Sequence, residues 1–234
     1  MYFAGRPPCF FRSAGSTPPW YEVHSLGNIL DYAVKNLYNS RMTRPREFDI
    51  DQVLFQIMEV FWSKGFRSTS FEDLTKKTKV KKQSLYGVFE DKRTLFLKAL
   101  VLYRNHNLQN LQEIMARADS PAGKIEAILH ASLCADSEDA RRGCLMVNTA
   151  LEFGVSDLEV TKQVEGMHND VQLALEEVIE EGQAAEQFTT KFTSTELALH
   201  LSNALQGVRV LQKSGADHQQ TEAVLRTAFG LIMQ

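Results

Sequence analysis

Residues 69–92 read TSFEDLTKKTKVKKQSLYGVFEDK. Five of the seven residues from Lys76 to Lys82 are lysine, and after Gln83 a Ser-Leu-Tyr-Gly-Val-Phe run follows. A solvated helix face accounts for lysines alone. It does not account for dense positive charge set directly ahead of a half-apolar segment. Two short helices joined by a tight turn do account for it. Thr69 and Glu72 have capping-box spacing, with the hydroxyl on the Glu72 N–H and the carboxylate reaching back. The helix they open turns Phe71 and Leu74 inward and ends near Thr78. Val80 anchors the turn. A further helix starts at about Lys81 and turns Leu85 and Phe89 inward.

The preceding segment completes a three-helix unit. From Asp49, the residues Val53, Phe55, Ile57, Met58, Phe61 and Trp62 line one helical face, and Gly65 stands where a terminating glycine belongs. Three helices with this spacing form a helix-turn-helix, whose last helix enters the DNA major groove, a channel about 12 Å wide. The lysines on and around the turn suit phosphates. Gln83 and Ser84 have short polar ends for base edges or phosphates, and Tyr86 can set its hydroxyl on a phosphate while its ring packs. Lys92 opens the next helix, where free backbone N–H groups favour an anion. The expected DNA contacts are therefore Lys82, Gln83, Ser84, Tyr86 and Lys92, with Thr69 at a phosphate.

Charge is divided along the 234 residues, whose formal net charge is -3. Residues 1–63 are neutral overall, residues 64–93 carry +5 and residues 94–234 carry -8. A short basic module joined to a long acidic one points to an anionic partner at one end. Cys9, Cys134 and Cys144 form no Cys-x-x-Cys pair, and no metal spacing links them to the six histidines. A reducing cytoplasm fits, and neither a metal nor a cofactor is expected. No apolar run approaches the ~18–20 residues a bilayer demands, so no membrane partner is expected.

The rest of the chain is helical as well. Residues 1–24 hold four prolines and read as irregular, with a short amphipathic helix over 26–37. Met42 begins a basic arm and is an alternative start. Asp91 caps a long helix from Lys92 to about Arg117, and Ser120-Pro121 opens one to about Cys134. Gly143 to Phe153 is short and apolar, Asp157 to about Ala185 long and acidic. Ser194 to Lys213 follows, and Asp217 caps a last helix. The domains so read are an extension at 1–44, a helix-turn-helix domain at 45–92 and a helical bundle at 93–234.

The segment FDIDQVLFQIMEVFWSKGFRSTSFEDLTKKTKVKKQSLYGVFEDKRTLFLKAL resembles the DNA-binding domain of TetR/AcrR-type transcriptional regulators. The shared features are Phe61 with Gly65-Phe66, Thr69-Ser70-Phe71, Ser84-Leu85-Tyr86 with Phe89, then Lys92 and Leu95. RRGCLMVNTALEFG and NALQGVRVLQKSG are more loosely similar to the family's ligand domain. The resemblance implies an all-α homodimer. It implies a palindromic double-stranded DNA operator, and a small-molecule effector that shifts the spacing of two DNA-binding heads, most often in a repressor. Two positions depart from the family. Lys79 stands at a turn position usually held by glycine, and Lys81 stands where serine or threonine usually caps the third helix.

Tyr103, His106, Cys144, Met146, Phe153, Met167, His168 and His200 are candidates to line an effector pocket, although plain bundle packing fits the same pattern. Cys144 follows Arg141-Arg142-Gly143, a setting that favours a reactive thiol; a small buried hydrophobe is the plainer reading. Leu197, Leu201, Leu205 and Val208, with Val224, Leu225, Phe229 and Ile232, suit either a dimer interface or ordinary core. An enzyme on the C-terminal bundle is not expected, because that half shows no nucleophile–base pair, paired carboxylates or phosphate loop. A helical protein-interaction module without sequence-specific DNA binding remains the alternative.

Overall fold

The computed structural model describes residues 48–133 and 138–233. The extension at 1–44, the helix expected over 26–37, Met42, Cys9 and Cys134 lie outside the described residues. Within them every element is an α-helix: α1 Ile50–Lys64, α2 Phe71–Thr78, α3 Lys82–Phe89, α4 Lys92–Met115, α5 Pro121–Ala131, α6 Glu138–Arg142, α7 Leu145–Phe153, α8 Leu158–Ala184, α9 Ser194–Lys213 and α10 His218–Ile232. The only extended pairing among the described residues is a bridge between Phe188 and Met233. No helix among them is long and apolar enough to cross a membrane.

Local chemistry sets most boundaries. Asp49, Asp91, Ser120, Asp157 and Asp217 each cap the helix they precede with a side-chain oxygen. Gly65 ends α1 at φ +79°, where a side chain would be strained. The capping box of α2 sits one residue later than expected. Ser70 Oγ accepts the Asp73 N–H at 3.2 Å, and the Asp73 carboxylate accepts the Ser70 N–H at 2.9 Å. Thr69 is instead buried, its hydroxyl donating to the Gly65 carbonyl at 2.6 Å. That carbonyl lies at the end of α1 and takes the adjacent hydroxyl. The one-turn helix α6 has no counterpart in the expected elements.

Two apolar cores result. The first joins the three-helix head (Ile57, Phe61, Leu74, Leu85, Phe89) to Phe96 and Leu100 of α4, Leu145 and Met146 of α7, and Val160 and Val164 of α8. The second gathers the end of α4 with α5, the later half of α8, α9 and α10. The boundary expected at residue 92 is therefore crossed by continuous packing. Helices α4 and α8 run side by side in the same direction, pinned twice. The Arg93 guanidinium grips Asp157 through Nε at 2.7 Å and Nη2 at 2.8 Å, and Arg104 grips Asp170 likewise. Gly166 makes the second pin possible, since a Cβ there would lie 2.1 Å from Arg104 Nη1.

Lys79 adopts the left-handed conformation, at φ 60° and ψ 12°, and closes α2. The expected departure from glycine is thus realised as a strained lysine. Replacing it by glycine should raise stability by roughly 0.5–1 kcal/mol, the strain relieved less the added freedom of the unfolded chain. Urea denaturation of Lys79→Gly measures this. The Arg93 hydrogen bond holds the Asp157 carboxyl down at about 2. A carboxyl lowered on folding stabilises fully above its unfolded value and loses that contribution as pH falls through the folded value. Asparagine keeps the cap and removes the charge. The stability gap between wild type and Asp157→Asn should therefore be full at neutral pH and shrink below about pH 4.

Candidate DNA-binding surface and sensing core

Helix α3 is short and lacks a side-chain cap, because Lys81 occupies the capping position. What holds it is packing. Leu85 and Phe89 are buried against the head, at 0% and 2% exposure. Burying two such side chains contributes about 1.5–3 kcal/mol each, which outweighs the ~1 kcal/mol of a missing cap. The opposite face is open. Lys81, Lys82, Gln83, Tyr86 and Gly87 are exposed and Ser84 is half-buried. A Cβ at Gly87 would meet nothing within 4 Å. Neither the turn nor the packing of α3 explains this glycine, and it leaves room for a close approach from outside.

Tyr86 stacks on Phe71, with ring centroids 4.4 Å apart, so α2 and α3 share an aromatic platform. The Lys82 ammonium stands 5.4 Å and 5.6 Å from these two rings. Cation and platform therefore present together to solvent. Lys77 does not join them, being paired with Glu59 of α1 at 3.0 Å.

Two expected contacts are placed differently. Thr69 turns its hydroxyl inward, as described, so Ser70 is the exposed hydroxyl at the start of α2. Lys92 donates from Nζ to the Thr69 carbonyl at 2.7 Å and lies 4.4 Å from the centre of the Phe66 ring. Its ammonium ties the α1–α2 loop to α4. Only its backbone position, the first residue of α4, remains as expected.

The sensing candidates divide. Tyr103, Met146 and Met167 are buried in the first core, with Cys144 and Phe153 packed against it. Tyr103 accepts the Leu145 N–H at 3.3 Å; burial, then the neighbouring Cys144, pushes its hydroxyl well above the usual range. Cys144 is a free, half-buried thiol at the start of α7. Burial lowers His168 from its ordinary value. His106 is buried near the Phe55 ring. His200 does not belong with them. It is exposed and lines an apolar groove between α9 and α10, with Ala204, Val224, Thr227 and Leu231. Among the described residues no three histidines, cysteines or acids are grouped to hold a metal.

The residues offered for a dimer interface or for core divide by burial. Leu197, Leu201, Val208, Leu225 and Ile232 are core. Leu205 and Phe229 pack against that core, while Val224 borders the groove.

Several important contacts carried no sequence signal. Trp62 Nε1 donates to the Gly143 carbonyl at 2.9 Å, and the Arg142 guanidinium lies 4.2 Å over the Trp62 ring. Arg142 also donates to the Glu59 carbonyl at 3.1 Å. Arg142, one of the two arginines expected to act on the thiol, is thus directed at α1. These partners are some eighty residues apart in sequence, so no local pattern links them.

Residues 54–99 match the family model described as bacterial regulatory proteins, tetR family, and residues 121–228 match the tetracyclin repressor-like C-terminal domain. The HTH-type transcriptional repressor ComR of Escherichia coli (strain K12) is 26% identical over 193 residues, spanning 80% of this chain and 90% of the relative. An uncharacterized HTH-type transcriptional regulator of Bacillus subtilis (strain 168), YezE, is 33% identical over 129 residues, 53% of this chain and 64% of its own. Among solved structures, a cysteine-substituted TetR family transcriptional regulator, CifR, complexed with 26-bp operator DNA superposes with a TM-score of 0.71. It is 26% identical, over 81% of this chain and all of that one. The reduced form of NemR from E. coli shares the fold, with a TM-score of 0.71 at 19% identity, over 79% of this chain and 97% of its own. Matches to one family in both halves, over a helix-turn-helix with an open basic face, place the chain in the TetR family of DNA-binding transcriptional regulators rather than among enzymes.

Proposed function

We propose that the protein is a ligand-responsive repressor that holds a palindromic operator as a homodimer and releases it when a small molecule binds. The observation that carries this is the open face of α3, where Lys82, Gln83 and Gly87 stand clear while Leu85 and Phe89 fix the helix from behind. Lys82, Ser84, Tyr86 and the start of α4 at Lys92 serve phosphates, and Gln83 serves a base edge. The apolar groove between α9 and α10 supports the dimer, since Val224 and Leu231 stay exposed there at 38% and 59%. A two-fold axis through that groove pairs the same patch on each copy. Tyr103, Cys144, Met146 and Met167 support an effector site, being polar and polarizable groups set inside apolar packing. The relatives fit this reading: one is named a repressor, and another was captured on operator DNA.

Duplexes selected from a random library by the wild-type protein test the DNA reading. Lys82→Ala should weaken binding to every duplex alike and lower the salt slope by about one. Gln83→Ala should cost about 1–3 kcal/mol and relax preference at one position of each half-site. Gly87→Leu should leave the melting temperature unchanged or higher, because leucine favours helix by roughly 0.5–1 kcal/mol, yet weaken binding at least tenfold. Equal affinity for selected and scrambled duplexes would sink the regulator reading. For the dimer, sedimentation of Leu231→Arg should give monomers where wild type gives dimers, and a monomeric wild type at micromolar concentration would refute it. A thermal-shift screen with aromatics, aldehydes and quinones addresses the effector.

A further inference from the structure

The head meets the rest of the molecule through the shared apolar core, through Trp62 and Arg142, and at two further points. One is covalent: α3 runs into α4 through Glu90 and Asp91. The other is a single side chain of the C-terminal half. Glu152, on the last turn of α7, accepts the Phe66 N–H at 2.9 Å on Oε2 and the Arg67 N–H at 2.6 Å on Oε1. Both amides follow Gly65, in the loop between α1 and α2. The approach is so close that a Cβ on Gly65 would lie 2.9 Å from Glu152 Oε2. A carboxylate taking two backbone N–H groups is a strong, directional contact. The clamp fixes the α1–α2 loop against the last turn of α7.

The other end of α7 lies in the proposed sensing core. The Leu145 N–H meets the Tyr103 hydroxyl, and Cys144 precedes it at the capping position. One turn before Glu152, Asn148 donates to the Arg142 carbonyl at 2.9 Å and accepts from Lys213 of α9 at 2.6 Å. Helix α7 is nine residues long, about 13 Å at 1.5 Å per residue, too short to bend appreciably. A displacement of its first turn must appear at its last.

We infer that α7 is a transmission rod and that Glu152 is the positioning residue that converts events around Tyr103 and Cys144 into the angle of the DNA-binding head. This rests on the regulator reading above and adds the route by which its sensing core acts. The route leaves α4 at Tyr103 and runs through α7. It enters the head at the α1–α2 loop, and that loop leads into Ser70 and the start of α2.

A double-mutant cycle tests it without a known effector. Tyr103→Phe removes the hydroxyl at the first turn of α7, and Glu152→Ala removes the grip at the last. Each is measured in the full chain on a fluorescent duplex selected by the wild type, with melting curves to verify folding. Tyr103→Phe alone should change the dissociation constant by about threefold or more, and in the Glu152→Ala background by less than about 1.5-fold. Glu152→Gln, which keeps one acceptor oxygen, should fall between. Amide exchange at Phe66 and Arg67 should speed up in Glu152→Ala, a change that a loss of general stability would spread over the whole head. Effects that multiply, or no effect of Tyr103→Phe alone, would overturn the rod. A wild type that prefers no duplex over scrambled DNA would instead count against the regulator reading itself.

Discussion

The aromatic cluster around Phe66 is the joint on which the rest of the molecule depends. Phe66 lies 5.0 Å from Phe96 of α4, 5.3 Å from Phe153 of α7 and 6.2 Å from Phe61 of α1, centre to centre. Such ring pairs are worth about 0.5–1.5 kcal/mol each beyond the area they bury. The Lys92 ammonium closes the cluster from the loop side and ties down the Thr69 carbonyl. One residue of a connecting loop thereby joins α1, α4 and α7. The head has no core of its own to retreat to. Its packing continues into the helices that carry the sensing candidates, and a shift among them changes the surface on which α2 and α3 rest.

That continuity gives Tyr103 a second contact with the head, beside the one through α7. Tyr103 touches the head directly, its ring edge-on to Trp62 at 5.3 Å. Trp62 in turn bonds the Gly143 carbonyl and lies beneath Arg142. A close-packed interior has few intermediate arrangements, so such a contact tends to switch between states.

Much of this was legible in the sequence where the signal is local. The caps at Asp91, Ser120 and Asp217 are single-residue chemistry, and each opens a helix as read; Asp49 and Asp157, read only as helix starts, cap their helices too. The inward face of α3 follows from Leu85 and Phe89 at helical spacing. Ambiguity arose where two local solutions compete. Thr69-Ser70 faces Glu72-Asp73, and either hydroxyl has an acid three residues on. The decision came from burial of Thr69 under Gly65, which spacing does not encode. His200 was misplaced for a related reason. Helix α9 is apolar on more than one face, and only the packing of α10 shows which face is filled from within. Contacts such as Trp62 with Gly143 and Glu152 with Phe66 join residues about eighty apart, and no periodicity brings them together.

Lys79 and Lys81 weaken α2 and α3 at their junction, one through a left-handed backbone and one through a missing cap. Both place a cation where the helix-turn-helix meets a polyanion. Repulsion between those cations is greatest in the free protein and falls once phosphates lie among them. The acidic half of the chain works against indiscriminate adhesion. Residues 94–234 carry -8, so a duplex that strays from the head meets repulsion. An acidic protein with a strained basic turn is therefore consistent in its electrostatics. Attraction is confined to one small surface, and the docking of Leu85 and Phe89 is strong enough to hold that surface in shape.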